Sequence, residues 1–355
     1  MHLSIALIAT VTGCMSEVKG SPDPGHMRYP AGHTVPPAMT LSISSRKTAM
    51  PSASKTASNA LSRAEPVARQ SGLNAMMACD TAFRVIARRC LVNLTANHEA
   101  TCVGDPEALH QMRIALTRLR TALSFFSPMV ADSKREQVRR ELKWLNAHLG
   151  AVRDLDVAIE RLKAINKQRP QAASGNPDWD ARRAANHRRL ARALRSARYR
   201  RLVEGTSRWI ENGPWSIERG AQAAKQRASA IAVYGADKLA RWQKKLLKKS
   251  HKLLEMGSTK RHRLRLLNKK LNYSIGFFED LFPDKRFSGQ KAALKYLRKA
   301  QKSLGQLNDD AQGRSLAASL TQNAVRPPIQ FLDRKREKRL IGATATAYRK
   351  LAAQH

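Results

Sequence analysis

The sequence predicts an all-α fold in which two similar helical halves follow a disordered N-terminal tail. From about residue 73 onward, apolar residues recur with the period of a helix, whereas strands with sustained period-2 alternation, joined by an Asn-Gly hairpin turn, are not indicated. An internal repeat separates equivalent helices by 152 residues, as between His110 and His262. The chain of 355 residues, 42% of them apolar, is long enough to fill the cores of two such halves.

Capping and helix-breaking residues divide the helical region into ten predicted helices. Asp105 and Pro106 form an N-cap followed by a first-turn proline. Gly150 and Gly305 each separate two consecutive helices, and Pro283 ends another. The predicted helices span residues 73–97, 106–127, 133–149, 151–168, 179–211, 233–256, 258–282, 289–305, 307–323 and 330–353.

The domain organisation follows from composition. Residues 1–68 are rich in Pro, Ser, Thr and Ala without helical periodicity, which predicts a disordered tail. The tail has six basic and three acidic residues, so it holds only +3 of the net charge of +38. The predicted domain, residues 69–355, divides into a first half at about 69–212 and a second half at about 220–355. A further break at 169–178 is a predicted loop.

The N-terminus and the cysteines indicate a cytoplasmic protein. Residues 3–12 form a short apolar run before Cys14 that loosely fits a lipoprotein cleavage box, but no Lys or Arg precedes the run as a signal peptide requires. A disordered leader is therefore the prediction, and lipoprotein processing at Cys14 is the alternative. The four cysteines form no CxxC pair, which disfavours a disulfide framework or a zinc site, and no apolar run is long enough for a transmembrane helix.

The strong positive charge calls for an anionic partner. With 65 Lys and Arg against 27 Asp and Glu, the folded chain repels itself, and a polyanion would relieve this repulsion. Nucleic acid, polyphosphate and an anionic membrane surface are the candidate classes. Aromatic residues make up only 5% of the chain, which disfavours a single-strand reader that stacks bases on aromatic rings.

The repeat carries both a core face and a cationic face. At 100° per residue, one face of the first copy is apolar, and the opposite face carries His110, Arg113, Thr117 and Arg120, flanked by Arg118. The second copy has an equivalent stripe of His262, Arg265 and Lys269, flanked by Lys270. A solvated helix surface is the alternative interpretation, but these stripes contain no acidic residue, whereas ordinary surfaces mix both signs. A long-period duplication of this kind predicts two bundles related by a pseudo-two-fold axis.

Several short motifs resemble those of the CHAD domain, the conserved-histidine α-helical domain. The first copy has His110-x-x-Arg113 followed by LKWLNAHLGAVRDLDV at 142–157, and the second has RHRLRLLNKKLNY at 261–273 and LGQLND at 304–309. The segment SARYRRL at 196–202 is also similar. The resemblance covers roughly residues 70–350. It implies two antiparallel helical bundles about a pseudo-two-fold axis, a basic central groove, binding of inorganic polyphosphate and association with polyphosphate granules.

The predicted polyphosphate-binding residues combine the two stripes with other cations at helical spacing. Each additional row also fits a plain solvated face. The chain departs from the family pattern at Asn272 and Asn308, which stand opposite Arg120 and Arg153, so the second half is expected to be less cationic. The full predicted set is His110, Arg113, Thr117, Arg118, Arg120, Arg139, Lys143, Arg153, Arg198, His262, Arg265, Lys269, Lys270, Lys295, Arg298 and Lys299.

The chemistry favours a binding protein without cofactor or metal. Cations surround the two motif histidines, which disfavours metal binding and favours hydrogen-bond donation to phosphate. A catalytic role would need Asp154 or Asp309, which follow Gly150 and Gly305 and are better explained as helix caps or arginine partners. Nonspecific binding of RNA or DNA is the first alternative function. A phosphohydrolase is the second, although the sequence has no glycine-rich phosphate loop and no fused triphosphate-tunnel domain.

Overall fold

The fold is entirely α-helical in the residues that the structure, a computed structural model, describes: 72–168, 177–217, 220–281, 288–320 and 332–354. These residues contain eleven α-helices and three short 3₁₀ helices, and their only β-structure is an isolated bridge between Ala78 and Ala230. The predicted all-α class is therefore confirmed. The predicted tail, residues 1–68, and most of the predicted loop at 169–178 lie outside the described residues.

The helices follow one another with short connections. The 3₁₀ helices are Pro214–Ser216, Leu253–Glu255 and Glu279–Leu281. The α-helices are α1 (Cys79–Ala96), α2 (His98–Cys102), α3 (Pro106–Phe125), α4 (Arg135–Gln168), α5 (Pro177–Arg195), α6 (Ala197–Asn212), α7 (Ala221–Ala228), α8 (Ile231–Ser250), α9 (Ser258–Gly276), α10 (Ser288–Leu320) and α11 (Arg334–Ala352).

Two of the predicted helix breaks are wrong. Gly150 lies inside the continuous helix α4, and Gly305 lies inside α10. A glycine costs a helix only about 1 kcal/mol, and without a proline the backbone hydrogen bonds continue through it. Conversely, the predicted helix 179–211 is two helices, because Ser196 ends α5 and caps α6 by accepting a hydrogen bond from Tyr199 N at 3.3 Å. The predicted start at Asp105 is correct, since its side chain accepts hydrogen bonds from Glu107 N and Ala108 N.

The apolar faces form two hydrophobic cores. The first is rich in aromatic rings and includes Phe83, Phe125 and Trp215, each with no exposed surface. The second lies among α8 to α11 and is built mainly from aliphatic residues such as Leu271 and Leu297. The first core also contains residues of the second half, among them Phe278, whose ring lies 5.5 Å from that of Phe125. Leu239 and Trp242 of α8 contact both cores. Burial of these apolar faces keeps the helical stripes on the opposite faces away from the cores.

Equivalent helices of the two halves contact each other in pairs: α1 with α8, α3 with α9 and α4 with α10. The contact between α1 and α8 begins with two reciprocal hydrogen bonds, from Cys79 N to Ser229 O at 3.0 Å and from Ile231 N to Met77 O at 2.8 Å. The donor Cys79 of the first bond is equivalent to the donor Ile231 of the second, since they lie 152 residues apart. The acceptors Ser229 and Met77 are equivalent in the same way, so the pseudo-symmetry converts one bond into the other. Reciprocity of this kind is what a two-fold axis imposes on an interface. The repeat is therefore organised about a pseudo-two-fold axis.

None of the described helices is long and apolar enough to cross a lipid bilayer.

Candidate functional site

A groove of about 1100 Å³ runs between α3 and α4 of the first half and α8, α9 and α10 of the second. Its wall contains twelve arginines and lysines, two histidines and two aspartates. The basic residues are His110, Arg113, Arg120, Arg135, Arg139, Lys143, Arg153, Lys245, Lys249, His262, Arg263, Arg265, Lys269 and Lys270, and the aspartates are Asp154 and Asp309. With twelve arginines and lysines against two carboxylates among its described lining residues, the groove is a strongly electropositive concave surface.

The middle of the groove repeats the pseudo-symmetry of the fold. From α3 and α9, the equivalent pairs His110 and His262 and Arg113 and Arg265 all line the wall. The same faces carry Thr117, whose equivalent in the second half is Lys269. The stripes lie opposite the apolar faces of their helices, so the packing of each helix on its own core turns its stripe toward the groove.

Arg113 is held in the groove by the backbone of α4. Its Nη1 atom donates a hydrogen bond to Leu149 O at 3.0 Å, and Nη2 lies 3.8 Å from Asp154 Oδ1. A Cβ atom at Gly150 would lie 3.3 Å from Arg113 Nη1, a tight contact. Gly150 therefore leaves room for the guanidinium against the helix. At Gly305, the equivalent position, a Cβ atom would meet nothing within 4 Å.

The two motif histidines have different surroundings. His262 Nδ1 donates a hydrogen bond to Asn308 Oδ1, and Asn308 Nδ2 donates in turn to Gln312 Oε1 at 2.9 Å. Because an amide oxygen only accepts, Nδ1 carries the proton. In the first half Arg153 takes the place of Asn308, and burial together with the charge of Arg153 lowers the pKa of His110. His110 is therefore neutral at physiological pH and offers one N–H donor.

Lysines crowd together near the centre and one end of the groove. Burial and the charges of Arg265, Arg113 and Arg120 lower the pKa of Lys269 to about 8. Burial and the charges of Arg120, Arg139 and Lys245 likewise lower the pKa of Lys270. Each shift results from desolvation of the ammonium group and repulsion by the neighbouring cations of the groove wall. An anionic ligand would reverse both effects.

One end of the groove has cations without a counterpart in the other half. Lys245 and Lys249 of α8 line it, whereas the equivalent residues of α1, Asn93 and Asn97, do not. Arg135 and Arg139 at the start of α4 join these lysines. The residues predicted from the sequence do not include Arg135, Lys245, Lys249 or Arg263. Helical spacing was their only signal, and spacing alone does not show which face of α8 meets the groove.

Five of the predicted binding residues do not line the groove. Arg118 is turned away from the stripe of α3, and its guanidinium carbon lies 5.4 Å from the centre of the Phe277 ring. Arg198 forms two hydrogen bonds to Glu141, at 2.8 and 3.1 Å. Lys295, Arg298 and Lys299 are exposed on α10 outside the groove wall, and Arg298 Nη2 lies 3.3 Å from Glu279 Oε1. The other eleven predicted residues line it.

Asp154 and Asp309 are not helix caps, because both lie inside continuous helices. The expectation of arginine pairing is met at Asp154, which lies near Arg113. Burial raises the pKa of Asp154, an effect that Arg113 opposes and the nearby charge of Asp309 reinforces. The described residues contain no group of three or more His, Cys, Asp or Glu side chains that could hold a metal ion. A cation-rich wall with two carboxylates is suited to holding an extended anion.

Comparison with known proteins identifies the family. The sequence model of the CHAD domain matches residues 85–318, well over half of the chain. The chain belongs to the CHAD domain family. The crystal structure of the CHAD domain from the plant Ricinus communis is similar to this CHAD domain, with a TM-score of 0.58 and 26% sequence identity over 79% of this chain and 89% of that one. PptA from Streptomyces chartreusis shares the fold, with a TM-score of 0.52 and 14% identity over 78% of this chain and 96% of that one. No curated protein matches the sequence.

Proposed function

We propose that this CHAD domain binds inorganic polyphosphate in the groove, without enzymatic activity, and that this binding recruits the protein to polyphosphate granules. The observation that carries the proposal is the groove wall itself, with twelve arginines and lysines against two aspartates. Family membership supports the same ligand class, because CHAD domains are associated with polyphosphate binding.

The hydrogen-bonding groups of the groove suit a chain of phosphates. Arginine can grip two phosphate oxygens with its planar fork, and lysine acts as a mobile point charge. Arg265 Nε is buried and has no hydrogen-bond partner among the described residues, although such a donor costs about 1–3 kcal/mol when left unpaired. A phosphate oxygen in the groove would satisfy it. The N–H of His110 adds a neutral hydrogen-bond donor.

Nucleic acid is a weaker candidate for the same groove. Tyr273 is the only aromatic residue among its described lining side chains, and Lys269 Nζ lies 5.6 Å from the centre of that ring. A single-strand reader stacks successive bases on several rings, and such a platform is not seen here. Polyphosphate has no bases, so dense cations on rigid helices meet its needs.

A hydrolytic function has no group suited to it in this wall. Phosphoryl transfer usually relies on carboxylates that hold magnesium and on a base that activates the nucleophile. Asp154 and Asp309 are the only carboxylates among the described lining residues, and burial raises the pKa of Asp154 although the surrounding arginines oppose the shift. Their charges repel a divalent cation, which supports a binding role.

A competition experiment tests the proposal. Labelled long-chain polyphosphate is bound to the full chain at near-physiological salt and challenged with RNA at equal phosphate concentration. We expect polyphosphate to resist displacement, and its affinity to fall steeply as salt increases because binding releases condensed counterions. Displacement by RNA at equal phosphate concentration would instead favour a nucleic-acid ligand. Release of orthophosphate during the incubation would contradict the non-enzymatic part of the proposal.

A further inference from the structure

A second cationic surface lies outside the groove, on α5 and α6. From Arg182 to Arg201 the chain has nine arginines and no lysine, aspartate or glutamate. By contrast, α8 carries five lysines and one arginine. Six of the nine arginines are exposed and have no carboxylate within ion-pair distance among the described side chains. We call these six the outer arginines: Arg188, Arg189, Arg192, Arg195, Arg200 and Arg201.

The outer arginines are not an ordinary solvated face. Arg188 and Arg192 are four residues apart on α5, and Arg192 and Arg195 are three apart, so like charges stand next to each other on the helix. Each such pair costs an isolated helix a few tenths of a kcal/mol. Ordinary surfaces avoid this cost by alternating the signs of their charges. A surface with one sign of charge fits an anionic partner, which would remove the repulsion.

Two ion pairs fix this surface to α4. Arg183 Nε donates a hydrogen bond to Asp156 Oδ1 at 2.6 Å, and Asp156 is almost fully buried. Arg198 binds Glu141 through two nitrogens, with its guanidinium carbon 4.4 Å from the centre of the Trp144 ring. The pairs at the two ends show that α5 and the start of α6 run antiparallel to α4. The outer arginines are thus presented by rigid helices.

The groove and the outer arginines are separated by the width of a single helix. Arg139 and Lys143 of α4 line the groove, while Glu141 and Trp144 of the same helix contact Arg198. Hydrogen bonds from Arg198 and the charges of Arg198, Arg140 and Arg201 lower the pKa of Glu141, so Arg140 and Arg201 both lie near Glu141. A flexible chain leaving the groove beside Arg139 would have to cross only ~10 Å, the diameter of a helix, to reach the outer arginines.

We propose that the outer arginines bind a second stretch of the same inorganic polyphosphate chain that occupies the groove, so that long chains bind more tightly than short ones. This inference rests on the proposed function. The aromatic side chains described on α5 and α6, those of Tyr199 and Trp209, are buried, so the described part of this surface offers no aromatic ring of Phe, Tyr or Trp on which a base could stack. The planar guanidinium group of arginine can donate two hydrogen bonds to phosphate oxygens. Two linked contacts on one chain raise its overall affinity through effective concentration.

The test compares the binding of polyphosphate chains of two lengths. The triple variant Arg188→Gln, Arg192→Gln and Arg195→Gln removes three outer arginines from α5 and relieves like-charge pairs, so the helix should remain folded. The matched control, Arg334→Gln, Arg336→Gln and Arg339→Gln, removes three exposed arginines from α11. Affinities of the full-length variants are measured for long-chain polyphosphate and for an oligophosphate shorter than the groove, whose lining on α4 extends ~33 Å from Arg135 to Val157.

We expect the triple variant to bind long chains about tenfold more weakly and the oligophosphate unchanged, with a shallower salt dependence for the long chain only. The α11 control should change neither affinity. The proposal would be overturned if the triple variant lost affinity equally for both polyphosphate lengths, or if the α11 control lost as much affinity for the long chain. A loss confined to RNA binding would also overturn it. If the unaltered protein binds neither ligand, the proposed function itself fails, and this outcome is distinct from a failure of the outer arginines.

Discussion

The two halves of the CHAD domain bring the same pair of helices to the groove but not the same charges. Arg120 in the first half corresponds to Asn272 in the second, and Arg153 corresponds to Asn308. The apolar faces of α3 and α9 are alike because both halves must bury a core. The groove faces have no such constraint, so their charges can differ while the fold stays symmetric. Each half nevertheless supplies six of the twelve arginines and lysines described in the groove wall, so the second half is not the less cationic one, as the sequence had suggested. Pseudo-symmetry of the backbone therefore coexists with cations at positions that are mostly not equivalent.

Because the two halves place their cations differently, the centre and the ends of the groove differ in charge. Its centre is pseudo-symmetric and contains the two histidines and both carboxylates, whereas one end collects Lys245, Lys249 and Lys270 with arginines of α3 and α4. An anion should bind both regions, but the centre consists of equivalent residues from the two halves, whereas the basic end consists of residues that have no equivalent in the other half. Substitutions can separate these contributions.

The largest effect is expected at the symmetric centre. The double variant Arg113→Ala and Arg265→Ala removes one equivalent arginine from each half, and a charged hydrogen bond contributes about 1.5–3 kcal/mol. We expect polyphosphate affinity to fall by about 100-fold or more, and the slope of log affinity against log salt to decrease by about one unit per lost contact. Titrations at several salt concentrations measure both quantities, with circular dichroism as the control for folding. An unchanged affinity and slope would mean that these arginines only solvate the helices.

A second prediction uses the pH dependence of Lys269, which stands where the first half has a threonine. With its pKa at about 8, Lys269 loses its charge between pH 7 and 9 in the empty groove. If bound phosphate keeps the ammonium protonated, affinity should fall about tenfold over that range. Lys269→Arg remains charged throughout and should flatten this part of the profile, leaving only the contribution of Lys270. A steep profile in the arginine variant would assign the pH dependence elsewhere.

The stability of the free protein should respond to pH in the opposite direction. The folded-state pKa of Lys269 lies below the ordinary value of 10.5, so the unfolded chain binds more protons between about pH 8 and 10.5. This residue therefore contributes increasing stability as pH rises through that window. Denaturant unfolding of the wild-type protein and of a Lys269→Met variant compares the two slopes, and the variant should lack this contribution. Identical slopes would contradict the depressed pKa.

The symmetric part of the site could be predicted from sequence, and the asymmetric part could not. The offset of 152 residues identifies His110 with His262, and helical periodicity places each opposite an apolar face, so the two stripes follow from local rules. The lysines of α8 reach the groove through packing between helices that are distant in sequence, which no local pattern encodes. Gly150 was predicted to break a helix. The sequence alone does not show that this glycine instead leaves room for a guanidinium group against the helix backbone.

Those α8 lysines allow a matched test of the basic end. Lys245→Gln with Lys249→Gln removes two groove cations, whereas Lys244→Gln with Lys248→Gln removes two exposed neighbours on the same helix that do not line the groove. Because net charge changes equally in both variants, only position differs. We expect about a fivefold loss of polyphosphate affinity in the first variant and little change in the second. Equal losses in the two variants would show that net charge, and not the position of the lysines, determines binding.

The smallest effect is expected at the two equivalent glycines. Gly305→Ala should stabilise the protein by about 0.5–1 kcal/mol, because alanine is the better helix former and its Cβ atom would meet nothing within 4 Å. Gly150→Ala brings the same intrinsic gain but forces Arg113 Nη1 away from a contact at 3.3 Å. Part of the gain should then be lost with the hydrogen bond to Leu149 O, and polyphosphate affinity should fall about threefold. Thermal unfolding and binding titrations of both variants provide the comparison. Equal affinities for the two variants would mean that Arg113 binds the ligand without the space that Gly150 provides. The two halves of the groove would then hold their central arginines in the same way.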